Sequence, residues 1–339
     1  MELLLSNYQP AKFSNRTTSK VWLDNLSKAQ HVRMATGYIS SASLIELKKI
    51  VEVNEKPSVE ILIGMHYYDG FTKQQFDSAL ALNETLQKQN RGVVYLSNAM
   101  RFHGKLYSFT NEKKCFGAIV GSSNLSSIFA AYKIYEADCF FVGDNAKTID
   151  KSIQDIFRKL GKPITNFQIE SFIKNNDLLE NHYGVSKVSH EELTTILATK
   201  TGVTFDIPMK TEAKSNLNCF FGKGRVNQRG FEMPRPWYEV EIIVPVSITR
   251  LLNYPTNRTF DVVTNDGWRF TCETNGQNSK NLRSRNDLSI LGKWIKGKLE
   301  QSGALTLATP VTEDVLMQYG KNSMSLSATS DPNLWLIEF

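Results

Sequence analysis

The sequence has few cysteines and no long hydrophobic run. Its four cysteines, Cys115, Cys139, Cys219 and Cys272, form no CxxC pair and are too widely spread to predict a zinc site or a disulfide framework. No stretch approaches the ~18 uncharged apolar residues of a membrane-spanning helix, and residues 1–6 lack the features of a signal peptide. We therefore expect buried free thiols, no metal site, no membrane interaction and a cytoplasmic protein.

Neither sign of charge dominates the chain, which has 40 Lys and Arg against 34 Asp and Glu, a net charge of +6. The distribution is uneven, because residues 210–298 hold 15 basic and 8 acidic residues whereas residues 301–339 hold 1 and 4. Clustered positive charge favours a polyanionic partner, since cations that neutralise phosphates release condensed counterions. The alternative is a solvated basic surface without a partner.

The hydrophobic pattern divides the chain into two parts. Strands and helices alternate in the first part, which predicts an α/β sandwich with a mixed, largely parallel sheet. From residue 206 short strands dominate, including 238–244, 259–263 and 269–273, and Asn265-Asp266-Gly267 is a strong hairpin signal. We expect a first domain at 1–165, a linker with short helices at 166–205 and a compact barrel-like β domain at 206–339.

Residues suited to catalysis lie close together in the sequence, between 101 and 142. His103 and Lys105 are two residues apart after a predicted strand, so an imidazole nucleophile and a cation project to the same side. The turn Gly121-Ser122-Ser123-Asn124 supplies backbone N–H groups, hydroxyls and an amide for phosphate oxygens, and Glu136 supplies a carboxylate for the imidazole. The set predicts phosphoryl transfer without a metal or other cofactor.

The order of these residues resembles the signature of the phospholipase D superfamily, His-x-Lys, then Asp, then Gly-Ser-x-Asn. His103, Lys105, Gly121, Ser122 and Asn124 match it, and Glu136 takes the place of the acidic residue that steadies the histidine in nuclease members. One departure is that the signature Asp, five residues after the lysine, is Thr110 here. The resemblance implies an N-terminal phospholipase D-like α/β/α sandwich with a mixed sheet.

Only one copy of the signature is present. The family reaction uses two histidines, one that attacks phosphorus and one that protonates the leaving oxygen. The resemblance therefore implies a homodimer, formed through the N-terminal domain, in which both His103 side chains address one phosphate.

A single phospholipase D-like domain followed by a basic β domain is similar to the BfiI and NgoFVII group of restriction endonucleases. That resemblance implies a C-terminal β pseudobarrel domain like those of plant transcription factors, and a metal-independent, site-specific endonuclease acting on double-stranded DNA. It also adds two candidate partners, a separate ATP-dependent helicase-like subunit and a cognate methyltransferase. No Walker-type phosphate-binding loop occurs in this chain, so ATP dependence would have to come from such a subunit.

Two polar segments beside predicted strands have the composition of DNA-reading arms, because they combine Lys and Arg with Asn and Gln. The alternative is that both are solvated loops. The candidate DNA-binding residues are Lys223, Arg225, Asn227, Gln228 and Arg229 in the first segment, and Asn278, Lys280, Arg283 and Arg285 in the second.

Two other functions remain open at the level of sequence. A phospholipase D-type phosphodiesterase or transferase would use the same His and Lys chemistry, but such chains usually carry two signature copies. A sequence-specific DNA-binding protein without turnover would follow if Thr110 marked a degenerate catalytic set.

Overall fold

The structure, a computed structural model, describes residues 1–13, 15–112, 114–174, 178–285 and 287–339. The chain divides into two compact units, the first formed by residues 1–175 and 225–233 and the second by 176–224 and 234–339. The stretch predicted as a linker, 166–205, contributes strand and helix to the second unit: Val185 pairs with Phe270, and Ile196 lies in a buried cluster with Val263 and Leu336.

The strands and helices follow one another along the chain as residue numbers rise. The strands are β1 Glu2–Leu5, β2 His31–Thr36, β3 Ser58–Ile63, β4 Gly92–Ser97, β5 Leu106–Asn111, β6 Lys114–Gly121, β7 Ala137–Phe141, β8 Gly161–Pro163, β9 Val185–Lys187, β10 Lys200–Pro208, β11 Arg225–Val226, β12 Glu232–Met233, β13 Ile242–Ile243, β14 Thr259–Thr264, β15 Trp268–Asn275, β16 Asn281–Ser284, β17 Ser323–Thr329 and β18 Leu334–Glu338. The helices are α1 Thr18–Leu26, α2 Ser41–Val53, α3 His66–Asp69, α4 Lys73–Lys88, α5 Leu125–Phe129, α6 Gly143–Leu160, α7 His190–Ala198, α8 Val246–Thr249, α9 Ile290–Gln301 and α10 Glu313–Tyr319.

The first unit contains a sheet in the order β1-β7-β6-β5-β2-β3-β4-β8. Within it β2, β3 and β4 run parallel, whereas the other neighbouring pairs are antiparallel. The prediction of a mixed sheet is confirmed, but the prediction that it is largely parallel is wrong. The reason is that β5, β6 and β7 follow one another without the long helical crossover that parallel pairing requires.

Both faces of this sheet are covered by helices. Met34 and Ile61 point into a cluster with α1, α2 and α4, while their neighbours Ala35 and Leu62 point to the opposite face, against Ile153 of α6. Successive strand residues thus fill two separate apolar layers, as the two-residue period of a strand requires. The predicted α/β/α sandwich is confirmed. None of the helices in the described part of the chain is long and apolar enough to cross a membrane.

The second unit contains a curled half-barrel sheet in the order β10-β17-β18-β14-β15-β16-β13, with β9 paired to β15. The hairpin predicted at Asn265-Asp266-Gly267 joins β14 to β15. The strand predicted at 238–244 is confined to Ile242–Ile243, because Trp237 and Tyr238 instead turn inward and donate to the carboxylate of Glu300 on α9.

The side chain of Lys296, one turn before Glu300, is fully buried in the second unit. Its Nζ donates to the carbonyl of Trp237 at 2.6 Å and lies 4.0 Å from the centroid of the Trp237 ring. Burial disfavours the charged ammonium and lowers the pKa of Lys296 to about 7, although the Glu300 carboxylate opposes the shift.

This environment predicts a pH-dependent stability. Between pH 7 and 10 the unfolded chain holds a proton on Lys296 that the folded chain has lost, so the free energy of unfolding rises with pH, by at most about 1.4 kcal/mol per unit. Lys296→Met should remove this part of the rise. Urea unfolding followed by tryptophan fluorescence at pH 7, 8 and 9 measures it, and equal slopes in both proteins would contradict the assignment.

Candidate active site

His103 and Lys105 lie on the segment that leads into β5, beyond the carboxyl ends of β2 and β3. The segment is held there because Phe102 N donates to the carbonyl of Gly64, directly after β3. Lys105 Nζ lies 3.0 Å from His103 Nε2 and donates to the His103 carbonyl at 2.7 Å. The two side chains predicted to act together are therefore in contact.

The contact also assigns hydrogen-bond roles to the two groups. A lysine ammonium only donates hydrogen bonds, so Nε2 of His103 is the acceptor in this contact. Lys105 is buried, and burial lowers its pKa, while the carboxylates of Glu136 and Asp138 raise it in part. His103 itself is exposed.

Asn124 lies near His103, next to Gly37. Its Oδ1 accepts from Tyr38 N at 3.0 Å, so the amide plane is fixed, and its Nδ2 has no hydrogen-bond partner among the described residues. A Cβ placed on Gly37 would lie 3.1 Å from His103 Cδ2 and 3.4 Å from Asn124 Oδ1. The two side chains thus flank Gly37, and the site has room for them because that residue has no side chain.

Asp138, which was not predicted from the sequence, fixes the turn that carries Asn124. Its carboxylate is buried and accepts from Ser123 N at 3.0 Å, from Ser123 Oγ at 2.5 Å and from Thr18 Oγ1 at 2.5 Å. A buried carboxylate requires such donors, and here they come mainly from the turn. The available signal was an acidic residue inside the apolar strand β7.

Ser122 and Glu136 are engaged with each other. The Ser122 hydroxyl donates to Glu136 Oε2 and accepts from Ala137 N, and Ser127 donates to Glu136 Oε1 at 2.9 Å. The sequence predicts a hydrogen bond from the His103 imidazole to Glu136, but among the described residues no such bond joins the two side chains. Backbone N–H groups of the turn are also occupied, since Ser122 N donates to Ala137 O. The side chains left to meet a phosphate are those of His103, Lys105 and Asn124.

Thr110 lies far from this site. It is five residues beyond Lys105 along β5, roughly 17 Å at the rise of an extended strand. Its hydroxyl donates to the carbonyl of His31 at 3.1 Å. The residue that departs from the superfamily signature is therefore a structural one in this chain, and it does not touch the catalytic set.

A second histidine of the first unit, His66, is not available for chemistry. It is buried, its Nε2 accepts from Ile39 N at 3.2 Å, and its Nδ1 donates to the Gly70 carbonyl at 3.0 Å. Burial lowers the pKa of His66, so the ring is neutral and both nitrogens are occupied. In the part of the chain that the structure describes, no group of three or more His, Cys, Asp or Glu side chains is placed to hold a metal ion.

The first predicted DNA-reading segment divides between the units. Lys223 is exposed in the second unit, whereas β11 and β12 form a hairpin that belongs to the first. Asn54 holds this hairpin with two hydrogen bonds to the backbone of Glu232, each of 2.8 Å, and Arg229 Nη1 lies 3.6 Å from Asp24 Oδ1. Arg225, Asn227, Gln228 and Arg229 are exposed, but Asn227 Oδ1 already accepts from two backbone N–H groups of the turn.

The second predicted segment lies entirely in the second unit, around β16. Arg283 donates through Nε to Glu273 Oε1 at 3.0 Å, and its Nη1 lies 3.8 Å from Glu241 Oε1. Arg285 donates to Thr259 Oγ1 at 2.7 Å and is 53% exposed at its side chain. The remaining two candidates of the segment are Asn278, which is exposed, and Lys280, which is half-buried.

Comparison with known proteins matches both units to one family. Residues 16–168 match the NgoFVII restriction endonuclease N-terminal PLD (phospholipase D) domain, and residues 195–330 match the NgoFVII C-terminal B3-like DNA-binding domain. A search of curated protein sequences gives no match.

Solved structures that resemble the chain include members of the phospholipase D family. Nuc from Salmonella typhimurium, a phospholipase D family member, is 15% identical with a TM-score of 0.33, over 48% of this chain and 98% of its own. NucT from Helicobacter pylori is 16% identical with a TM-score of 0.31, over 48% of this chain and 100% of its own. A phosphatidylserine synthase from Haemophilus influenzae is 14% identical with a TM-score of 0.34, over 49% of this chain and 41% of its own.

The two family matches cover the candidate catalytic residues and the curled half-barrel in the order that the sequence predicts, a nuclease domain followed by a DNA-binding domain. The chain therefore belongs to the NgoFVII family of restriction endonucleases, with an N-terminal phospholipase D domain and a C-terminal B3-like DNA-binding domain.

Proposed function

We propose that the protein is a site-specific endonuclease that hydrolyses phosphodiesters of double-stranded DNA through a phosphohistidine intermediate, without a metal ion, in an active site shared by a homodimer. The observation that carries the proposal is the contact between Lys105 Nζ and Nε2 of His103, with the Asn124 side chain next to His103 across Gly37. These groups are a nucleophile, a cation and a neutral donor, which is what phosphoryl transfer needs.

In the first step Nε2 of His103 forms a bond to phosphorus and the bond from phosphorus to the 3′ oxygen breaks. The leaving oxygen takes a proton from His103 of the partner subunit. Lys105 and Asn124 donate to the non-bridging oxygens, whose negative charge grows in the transition state. Lys105 already lies beside the nucleophilic nitrogen, and its N–H group has only to turn from Nε2 to a phosphate oxygen as the lone pair of Nε2 attacks.

In the second step water attacks the phosphohistidine. The partner subunit's His103 accepts the proton from water, the N–P bond breaks, and the product ends are a 5′-phosphate and a 3′-hydroxyl. Glu136 accepts hydrogen bonds from the hydroxyls of Ser122 and Ser127. We therefore assign it to positioning the turn that carries Asn124, which supports both steps.

The need for a second copy follows from the histidines of the first unit. The reaction uses two imidazoles, one as nucleophile and one as acid. His66 is buried with both nitrogens occupied, and His31 is hydrogen-bonded to Ser58 and Glu60 at the start of β2, the opposite end from His103. A second His103 is therefore the candidate for the acid.

The second unit is proposed to select the DNA sequence. Arg283 and Arg285 are its best-placed candidates, because Arg283 alternates on β16 with the buried Leu282 and Ser284, and Arg285 directly follows that strand and is exposed. The two further partners expected from the family resemblance, a helicase-like ATPase subunit and a methyltransferase, stay predictions.

Replacing the nucleophile tests the mechanism. His103→Ala should lower plasmid cleavage by at least ~10⁴-fold, the scale of losing a nucleophile, and leave DNA binding by gel shift unchanged. His190→Ala, an exposed histidine on α7, is the matched control and should cut normally. All assays contain excess EDTA. Loss of wild-type cleavage in EDTA would exclude the metal-independent reaction. Cleavage by the His103→Ala variant would exclude His103 as the nucleophile.

The shared active site predicts a particular dependence on concentration. Light scattering should show a dimer, and specific activity should fall on dilution as dimers dissociate. When the His103→Ala chain is mixed in excess with wild type and allowed to exchange subunits, activity should fall with the square of the wild-type fraction, because each mixed dimer lacks one imidazole. A monomer with full activity would contradict the proposal.

Two neighbouring arginines should separate base reading from phosphate binding. Arg283, held by two carboxylates, has a fixed guanidinium plane suited to a base edge, so Arg283→Ala should relax specificity at one position by about 1–3 kcal/mol. Arg285 is more exposed, and Arg285→Ala should weaken binding to all sequences alike. Binding to a set of single-base variants of a cut site measures both, and the reverse pattern would contradict the assignment.

A further inference from the structure

Arg101 lies two residues before His103, on the segment that leads into β5. Phe102 and Leu106 of this segment pack with Ala35 against α6, on one face of the sheet. Between them His103 and Lys105 are in contact with each other. Two residues of chain span at most about 7 Å, so the Cα of Arg101 lies no farther than that from the Cα of His103.

A chain of contacts ties Arg101 to the imidazole. Arg101 Nη2 donates to Asp69 Oδ1 at 3.2 Å, and Asp69 Oδ2 accepts from the Tyr38 hydroxyl at 2.6 Å. The Tyr38 ring in turn lies edge-on to the His103 ring, with the centroids 5.7 Å apart. The Arg101 guanidinium also lies 5.3 Å from the centroid of the Tyr68 ring. These contacts hold a cation at a defined place beside the nucleophile.

The arrangement leaves most of the guanidinium available. Arginine has five N–H donors, and Asp69 is the only hydrogen-bond partner of Arg101 among the described residues. The Arg101 side chain is 60% exposed. An exposed ion pair of this kind adds little to stability, so a purely structural role does not account for its position.

We infer that Arg101 binds a phosphate that flanks the scissile one on the same DNA strand. The inference rests on the proposed function and deepens it: His103, Lys105 and Asn124 address the reacting phosphate, and Arg101 supplies a fork of donors for its neighbour. Asp69 and Tyr68 hold the side chain near that position before DNA arrives, which reduces the ordering cost of binding.

A substrate with one phosphate separates this role from catalysis. Arg101→Ala should lower kcat/KM for a plasmid that the wild type cuts by roughly 10- to 100-fold, the range for a charge-assisted hydrogen bond. Hydrolysis of bis(p-nitrophenyl) phosphate, which has no flanking phosphate, should stay within about twofold of wild type. The plot of log kcat/KM against log salt should become less steep by about 0.9, one phosphate contact, and Arg101→Lys should keep that contact.

The matched control is Arg158→Ala. Arg158 is an exposed arginine of the same unit, on α6, and pairs with Asp155 at 2.7 Å. The Arg158→Ala variant should have the wild-type kcat/KM for both substrates and the wild-type salt slope.

The outcomes are distinguishable. If Arg101→Ala lowered kcat/KM equally for both substrates, the flanking-phosphate role would be wrong while the proposed function stood. The same would follow if the variant cut the plasmid with the wild-type kcat/KM and salt slope. If the wild-type protein hydrolysed neither substrate, the proposed function would fail, and the role of Arg101 with it.

Discussion

The buried carboxylate of Asp138 is the constraint on which the candidate active site depends. A charged group removed from water must be met by donors, and Asp138 obtains them from the backbone and hydroxyl of Ser123 and from Thr18 of α1. The hydrogen bonds to that carboxylate fix the turn after β6, and this turn carries Asn124. Tyr38 N donates to Asn124 Oδ1, so Nδ2 is the atom of this side chain that remains without a partner among the described residues.

The hydrogen bonds of the site therefore divide into two kinds. Those of Ser122, Ser123, Glu136 and Asp138 are satisfied within the protein and build a rigid frame. Those of Lys105 and Asn124 are incomplete, because Lys105 Nζ uses two of its three donors and Asn124 Nδ2 has no partner among the described residues. Such preorganisation is the main way in which a protein stabilises charge that develops during a reaction, because the donors need not move when the charge appears.

In the second unit, too, charged side chains are paired within the protein. The basic surplus of residues 210–298 predicts a surface with free cations, yet Arg269 pairs with Asp261, and Arg283 pairs with Glu273. A cation paired with a carboxylate attracts phosphate less strongly over long range than a free cation does, and its guanidinium plane is held in place.

By itself the sequence determined the candidate residues for the chemistry and the order of the parts. The spacing of His103 and Lys105, the turn before Asn124 and the change from α/β to β periodicity are local patterns, and the structure agrees with each. Only the tertiary structure decided which atoms remain free. The partners of Glu136, the role of Asp138, the position of Thr110 away from the site and the docking of the 225–233 hairpin on the first unit depend on contacts between residues far apart in the chain. Residue types and spacing specify candidates, but long-range packing decides which hydrogen-bonding groups are already satisfied.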